Sequence, residues 1–293
     1  MLPAIALIVG SSLCFALMHS LIRLVSRDVD PIQIAFFRNL FGLVIFIPII
    51  ARTGLSIFKT SHLGLHCGRA LLNVMAMLAF FTALSMTEVA KATALGFTAP
   101  IYTAVLSVLF LGERFRLRRW SAILCGFVGM LIILRPGIIE IDLGAILVLA
   151  SAGIWGVVMI VIKFLGRTES SLTITAYMNV MLGVLSFVPA LLVWSNPPLY
   201  LWGLMVVIGI VGTLGQVGLA EALKRADATF ILPFDFLRLI WAAAFGYALF
   251  SEVPDFFTWV GGAVIFSSTL YLAYRERVKS PHRALPPVAD DKA

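Results

Sequence analysis

Two oppositely charged residues inside a long apolar stretch, Asp235 and Arg238, are the strongest candidates for chemistry in this sequence. A charged side chain in hydrocarbon costs ~2.5–3.5 kcal/mol on insertion scales, so its presence needs a reason. Their spacing places the two side chains on one face of a helix, where they can pair. They would either bind the ammonium and carboxylate of a zwitterion or gate access to a site. The alternative is an internal ion pair that contacts no ligand.

A histidine, His19, lies deep in the first apolar stretch. Because the imidazole titrates near ~6.5, His19 is a candidate proton carrier. It could equally donate a hydrogen bond to a carboxylate of a bound molecule. The alternative is a neutral histidine bonded to a neighbouring carbonyl.

A stripe of apolar and amide side chains predicts an adaptable wall for a site. Asn73, Met77 and Phe81 follow one another at helical spacing, and Trp155 with Met159 forms a second pair. Methionine thioethers and aromatic rings accommodate several shapes of ligand. Ordinary packing is the alternative for each of these residues.

A proline in the middle of the fourth apolar stretch, Pro100, predicts a kinked helix with a freed carbonyl group. Broken helices are typical of sites inside membranes, although proline also occurs in ordinary spans. Tyr102 is a hydrogen-bonding aromatic residue close to this kink. We therefore include Pro100 and Tyr102 among the candidate site residues.

Glycines recur at every third residue in the eighth apolar stretch: Gly209, Gly212, Gly215 and Gly218. Small residues permit close contact between helices, so the stripe predicts tight packing or sliding. The sequence lacks a GxxxxGK[ST] motif, which argues against direct use of ATP.

No cofactor or metal is expected from the remaining residue types. His62 and His66 have helical spacing but lack a third ligand. Cys14, Cys67 and Cys125 are odd in number, form no CxxC motif and lie in or beside apolar stretches. They are expected to be small buried residues.

Two further basic residues, Arg38 and Arg69, fall within apolar stretches. We expect both to extend toward the nearest interface, as long basic side chains do. Arg238 would then be the one clearly deep basic residue. Phosphate-bearing substrates would be expected to show more buried Lys and Arg than this.

The composition determines which elements must position these residues. Of the 293 residues, 61% are hydrophobic and 13% are charged, and the mean hydropathy is +1.02. A soluble globule or a disordered chain is excluded, because neither can be formed with so little polar surface. A bilayer core of ~30 Å needs ~20 residues per helix, so the chain holds about ten spans.

The continuous apolar runs predict α-helices and not alternating barrel strands. The predicted spans are 3–24, 31–51, 65–86, 90–111, 118–135, 142–164, 171–193, 199–222, 228–250 and 254–274.

Basic residues concentrate on one set of alternate connections, with the run RFRLRRW at 114–120 as the strongest anchor. The other set holds only Arg23, Arg27, Lys91 and Arg135. The positive-inside rule then predicts that both termini are cytoplasmic. The net charge of +7 is explained by this asymmetry, and no nucleic-acid-binding motif is present.

The sequence repeats itself at an offset of about 140 residues. Ser11 and Ser151 are one matching pair, and Glu113 and Glu252 are another. Since each half holds an odd number of spans, the halves must cross the bilayer in opposite directions. We predict an all-α polytopic membrane protein: ten transmembrane helices as two inverted five-helix repeats, residues 1–138 and 139–274, followed by a disordered cytoplasmic tail at 275–293.

The chain resembles the EamA family of the drug/metabolite transporter superfamily. The resemblance rests on the connections ALSMTEVAKATAL and EALKRADATFIL, on the LGER and FSEV ends of the fourth and ninth spans, and on the glycine-rich fifth and tenth spans. It implies a bacterial inner-membrane carrier, similar to the YddG-type exporters of amino acids. Phe15 stands where the second half has Trp155, and Ser251 replaces the glycine before the glutamate.

The expected function is secondary export of small amphipathic metabolites, amino acids including aromatic ones first, by alternating access between the halves. The expected partners are a small-molecule substrate and membrane lipid, without nucleic acid, and a monomer is expected. Proton exchange, facilitated diffusion and antiport stay open as driving forces. The alternatives are export of drugs or other metabolites, or a membrane-embedded enzyme. No cluster of catalytic groups points to an enzyme, and none forms a channel filter.

Overall fold

The computed structural model describes residues 2–44, 60, 62–111, 117–138, 141–165, 171–225 and 234–279. This part of the chain forms eleven helices. They are α1 Leu2–Val25, α2 Pro31–Leu43, α3 Leu63–Met86, α4 Val89–Gly96, α5 Ala99–Leu111, α6 Leu117–Leu134, α7 Leu143–Leu165, α8 Ser171–Leu192, α9 Leu199–Arg225, α10 Leu237–Phe250 and α11 Phe256–Lys279.

The helices reproduce the predicted spans, with α4 and α5 together forming the fourth span and α10 the second part of the ninth. Five stretches are long and apolar enough to cross a membrane: Leu2–Val25, Leu63–Met86, Val89–Leu106, Leu143–Ile162 and Leu199–Leu219. Shorter apolar helices accompany them in the described residues. The chain is therefore an all-α, multi-pass membrane protein, as predicted.

Several predicted features fall partly or wholly outside the described residues. The second span is described only to Val44, and the ninth span only from Phe234. Glu113 lies outside the described ranges. The predicted tail is described only to Lys279, where α11 ends, which is beyond the expected end of the tenth span at 274.

Helices of the first half, α1–α6, pack mainly against helices of the second half, α7–α11. The first span packs on the eighth (α1 on α9), and the third packs on the sixth (α3 on α7). Each of these two pairings is the counterpart of the other, because the first span corresponds to the sixth and the third corresponds to the eighth. An inverted repeat requires this correspondence. The second span meets the seventh (α2 on α8) and the fifth meets the tenth (α6 on α11), which are self-equivalent pairings.

A pair of hydrogen bonds shows the same internal symmetry in atomic detail. Ser11 Oγ of α1 donates to the Gly215 carbonyl of α9 at 2.6 Å. Ser151 Oγ of α7 donates to the Ala76 carbonyl of α3 at 2.7 Å. Because Ser11 and Ser151 are matching residues of the sequence repeat, these bonds are two copies of one contact.

The glycine stripe of α9 is a close-packing surface. A Cβ atom on Gly209 would lie 2.7 Å from Phe41 Cβ and 3.0 Å from the backbone nitrogen of Gly42. On Gly215 it would lie 3.3 Å from the Phe15 ring. Glycine at these positions allows α1 and α2 to approach α9, as the spacing predicts. Gly129 and Gly261 provide a similar close contact between α6 and α11.

Candidate functional site

The fourth span is broken where Pro100 predicts a kink. Helix α4 ends at Gly96 and α5 begins at Ala99. Thr98 Oγ1 donates to the Leu95 carbonyl at 2.7 Å, which satisfies an acceptor at the end of α4. Pro100 stands in the first turn of α5, where its missing N–H leaves no helix bond unmade. The break at Phe97 and Thr98 confirms the predicted kink.

The ninth span is interrupted at Phe236, just before α10, and the two interruptions meet. The rings of Phe97 and Phe236 lie 6.2 Å apart, and Phe266 of α11 lies 4.6 Å from Phe236. Phe97 and Phe236 are matching positions of the repeat, at an offset of about 140 residues. The interrupted spans of the two halves therefore face each other across the internal symmetry axis.

The predicted pair of Asp235 and Arg238 lies at this meeting point. Arg238 Nη2 donates to Asp235 Oδ1 at 2.6 Å and to Oδ2 at 2.9 Å. The Arg238 guanidinium carbon lies 4.7 Å from the centre of the Phe15 ring and 5.9 Å from that of Phe97, which allows cation–π attraction. The two side chains do pair. Contact of either with a substrate stays a prediction.

These side chains retain exposed surface although they lie between helices. Asp235 keeps 14% and Arg238 keeps 19% of its side-chain surface exposed, and Phe15, Phe97 and Phe236 are half-buried. Groups that were packed into a solid core would be fully covered. We infer that they border a space between the halves. We call the charged and aromatic residues around it the central cluster: Phe15, His19, Phe80, Phe97, Asp235, Phe236, Arg238 and Phe266.

His19 is buried in the central cluster, with 8% of its surface exposed. Its ring lies edge-on to that of Phe80, with centres 5.0 Å apart. Its Nδ1 atom has no hydrogen-bond partner in the described part of the chain. The alternative of a histidine held at Nδ1 by a backbone carbonyl is therefore not the arrangement seen.

The expectation that Arg38 extends to the interface is wrong. Its residue surface is only 7% exposed, because α2 packs closely against α9 beside it. A Cβ atom on Gly212 of α9 would lie 3.3 Å from Arg38 Nε. Arg69 is also buried, with 2% exposed. Arg238 is thus not the one deep basic residue. The expected scarcity of buried basic residues therefore no longer argues against phosphate-bearing substrates.

The remaining candidate residues are distributed unevenly. Asn73 is buried at 8% exposure and Phe81 at 4%, where Phe81 belongs to the apolar core. Met77 is half-buried and accepts a hydrogen bond from Asn39 at 3.5 Å. That Asn73, Met77 and Phe81 line a substrate site stays a prediction.

Pro100 and Tyr102 belong to α5, and Trp155 and Met159 belong to α7, two helices that pack against each other. Tyr102 lies against Gly156, where an added Cβ atom would be 3.0 Å away. Trp155 is half-buried, Met159 is 37% exposed, and Pro100 is exposed. The structure brings Asp235, Arg238 and His19 into one region, because Phe80 contacts His19 and lies beside Gly96 at the helix break. A binding role stays a prediction for Pro100, Tyr102, Trp155 and Met159.

Sequence reasoning missed Phe80, Phe97 and Asn39. The repeat offset was the one signal for Phe97, because it matches Phe236 beside the charged pair. Asn39 belongs to the repeat as well, but its contacts depend on packing. Its Nδ2 atom donates to Met77 Sδ of α3 and, at 3.4 Å, to Ser186 Oγ of α8.

Polar contacts join the halves at one end of the bundle, which we call the paired end. Its three ion pairs are Arg23 with Glu252, Lys91 with Asp142, and Arg135 with Asp255. Each pair takes its base from the first half and its acid from the second. Gln33 of α2 adds a double contact to Ser195, donating to its carbonyl at 2.8 Å and accepting from its N–H at 2.9 Å.

Two acids of the paired end also cap helices. Asp142 Oδ1 accepts from the Ala145 N–H at 2.6 Å at the start of α7, and Asp255 Oδ1 accepts from the Thr258 N–H at 2.8 Å at the start of α11. Burial raises the pKa of each carboxyl, but hydrogen bonds and the paired base lower it further, so both pKa values lie below 3.8. Burial raises the pKa of Glu252 above 4.5, against the attraction of Arg23.

Comparison with known proteins gives one family. The model of the EamA-like transporter family matches residues 2–135 and 142–274, which are the two halves in turn. A S-adenosylmethionine uptake transporter of Rickettsia bellii is 30% identical over 245 residues, covering 84% of either chain. A riboflavin transporter of Brucella anthropi is 31% identical over 252 residues, covering 83% of this chain and 88% of the relative. A pseudopaline exporter of Pseudomonas aeruginosa is 27% identical over 274 residues, covering 92% of this chain and 95% of the relative.

Proposed function

The chain belongs to the EamA-like transporter family, and from this premise we propose that it carries small zwitterionic metabolites that have an aromatic or heterocyclic part. Aromatic amino acids and S-adenosylmethionine are the first candidates, and export is the expected direction. The chain is a transporter and not an enzyme, as the family and the relatives agree. Its substrate and its direction of transport are the proposal.

The observation that carries the proposal is the central cluster. Asp235 and Arg238 supply both signs of charge where the interrupted spans meet. Both Asp235 oxygens accept from the single atom Arg238 Nη2, so each keeps a lone pair for an ammonium group. The half-buried rings of Phe15 and Phe97 beside them suit an aromatic part.

The inverted halves support alternating access as the mechanism. Two similar units of opposite orientation give two near-equivalent states, each open to one side. The ion pairs and the Gln33 contact close the paired end in this conformation. Transport in this mechanism requires those contacts to separate while the central cluster is exposed to that side.

We place the protein in the inner membrane of a bacterium with both termini in the cytoplasm, so that the paired end faces outward. The basic run at 114–120 supports this orientation through the positive-inside rule. Reporter fusions at the C-terminus and after residue 138 should give opposite sidedness. Equal sidedness would contradict the inverted arrangement.

The test of the substrate is transport by purified protein in liposomes. The panel is L-tryptophan, L-phenylalanine, S-adenosylmethionine and riboflavin, each with and without a proton gradient. We expect saturable transport of at least one zwitterion, at a higher rate than riboflavin. Transport of riboflavin alone, or of none of the four, would contradict the proposal.

Two further measurements test the direction and the driving force. Cells that overproduce the protein should tolerate toxic amino-acid analogues and retain less labelled amino acid. If a proton gradient accelerates transport, His19→Gln should abolish the acceleration but keep exchange. Unchanged acceleration in that variant would remove His19 as the proton carrier.

A further inference from the structure

Arg38 is a buried cation that has no counter-ion among the residues that the structure describes. Its surface is 7% exposed, and no carboxylate among the described residues lies within 4.0 Å of its nitrogens. Its Nε atom has no hydrogen-bond partner in that part of the chain. A guanidinium removed from water is costly unless it is paired, so its position requires a partner in some state of the protein.

The Arg38 guanidinium is held in place by neutral groups. Arg38 Nη1 donates to Asn39 Oδ1 at 2.8 Å. Asn39 is itself fixed on its other side, because its Nδ2 donates to Met77 Sδ and to Ser186 Oγ. This network orients the guanidinium and, within the described part of the chain, leaves its charge uncompensated. Preorganised donors with unused capacity are what an anion-binding site needs.

The Asp235 carboxylate already has the Arg238 guanidinium as its counter-ion. Asp235 and Arg238 bind each other, and Arg238 also faces the Phe15 ring. Arg38 Nε and Met18 of α1 both lie beside Gly212 of α9, and the Phe15 ring, one turn before Met18 on α1, faces the Arg238 guanidinium. The two guanidiniums therefore approach the same stretch of α1. With one carboxylate, Asp235, and these two guanidiniums among the described residues there, the region carries one excess positive charge.

We propose that Arg38 is the anion-binding residue of the site and that it binds a carboxylate of the substrate, while Arg238 serves as the internal partner of Asp235. This assignment rests on the proposed function and names the chemical group that the transported molecule must carry. The carboxylate of a zwitterion would take Arg38 as its partner while the ammonium group takes Asp235, so each charge of the substrate meets an opposite charge. The second negative charge of a phosphate dianion would have no such partner, so carboxylates are the favoured class.

The test compares each acid with an analogue that lacks the negative charge. The probes are L-tryptophan with L-tryptophanamide, and S-adenosylmethionine with its methyl ester, measured as kcat/KM in liposomes. Losing a charge-assisted hydrogen bond at a buried group corresponds to about a 10- to 100-fold effect. We expect the wild-type protein to prefer the acid by this factor and Arg38→Gln to reduce the preference to about threefold or less.

Two variants separate charge from folding. Arg38→Lys retains the positive charge and should keep a weaker preference for the acid. Asn39→Ala removes the hydrogen bond that orients the guanidinium, and it should lower the preference for the acid severalfold. Arg225→Gln is the control, because the Arg225 side chain is 51% exposed and pairs, among the described residues, with Glu221 of its own helix. Its acid preference should equal that of the wild type.

The outcomes separate this assignment from the proposed function. If the wild type transports none of the probes, the proposed function falls and this assignment falls with it. If the wild type transports them without preferring the acid, only the assignment to Arg38 is overturned. The same holds if Arg38→Gln keeps the full preference. Should Arg38→Gln fail to insert, an unchanged preference in both Arg38→Lys and Asn39→Ala overturns it.

Discussion

Removing two charges at the paired end should open that end without unfolding the helices that carry them. The change is Asp142→Asn with Asp255→Asn. An asparagine side chain keeps an oxygen that can cap α7 and α11, as the aspartates do through Ala145 and Thr258. It loses the attraction to Lys91 and Arg135. The variant therefore removes the link between halves and preserves the caps.

The size of the effect follows from the exposure of the two acids. The Asp142 side chain is 36% exposed and that of Asp255 is 39% exposed, so water screens both pairs. Each pair then contributes about 0.5–1 kcal/mol to the closed form. Together they contribute about 1–2 kcal/mol, so the double variant should shift the equilibrium toward the open form by about 5- to 30-fold.

The assay is labelling of a single cysteine in the central cluster. Phe97→Cys is placed in a chain whose native cysteines, Cys14, Cys67 and Cys125, are replaced by serine. A membrane-impermeant thiol reagent reaches this cysteine from the paired end only in the open form, so the labelling rate follows the open population. The control is Glu221→Gln, which breaks the exposed pair within α9. The reasoning is refuted if the double variant labels at the control rate in cells and in inside-out vesicles.

The pH dependence of labelling gives a second test, because the pKa shifts predict the direction in which the labelling rate changes. Both aspartates have a pKa below 3.8 in the closed form, so they stabilise that form above this value and cease to do so as the pH falls through the lowered pKa. Glu252 has the opposite sign, because its raised pKa makes protonation favour the closed form. Because the thiolate fraction of the probe falls with pH in both proteins alike, the readout is the ratio of the wild-type to the double-variant labelling rate. This ratio should rise toward one as the pH falls through the lowered pKa of the two aspartates, and a constant ratio would contradict their role.

The charged pair, the glycine stripe and the helix break give three further predictions. Asp235→Asn and Arg238→Gln should each lower flux at least tenfold without loss of membrane insertion. The double variant should transport no more slowly than either single variant, because the two residues act as one unit. Wild-type flux in both single variants would remove this pair from the site. Gly209→Ala should lower the free energy of unfolding by about 1–3 kcal/mol through overpacking, which is measured as a lower Tm. Gly203→Ala on the same helix should leave the Tm unchanged, because its added Cβ atom meets nothing within 4 Å. Equal Tm values for the two variants would contradict the close-packing role of Gly209. Pro100→Ala should lower flux severalfold with normal insertion, and unchanged flux would show that the break needs no proline.

The positions of the helices could be read from the sequence because the bilayer imposes a simple rule. A run long and apolar enough to span hydrocarbon must be a helix, so the predicted 171–193 appears as Ser171–Leu192. The repeat was visible because Ser11 and Ser151 make the same interhelical hydrogen bond in both halves. Pro100 marked the break of the fourth span because its effect on the backbone is local.

The site could be predicted only where its chemistry is local. Asp235 and Arg238 pair within one turn, so their spacing was sufficient. Arg38 was misjudged because the sequence does not show that α9 lies beside it with a glycine at the contact. The stripe of Asn73, Met77 and Phe81 follows helical spacing, but that spacing does not say which neighbour each residue meets.

The backbones of the two halves are symmetric, whereas their charges are not. In the proposed function, the symmetric backbone allows access to change from one side to the other, and the charges recognise the substrate. Phe97 and Phe236 occupy matching positions and meet between the halves, so either interrupted span can move in the same way. The residues that flank Phe236 are Asp235 and, two positions on, Arg238, whereas the first half has Gly96 and Ala99 there. Charges in both copies would place twice the desolvation cost at the axis. With charges in one copy, the proposed site predicts that the substrate stays bound to the second half while access to it changes.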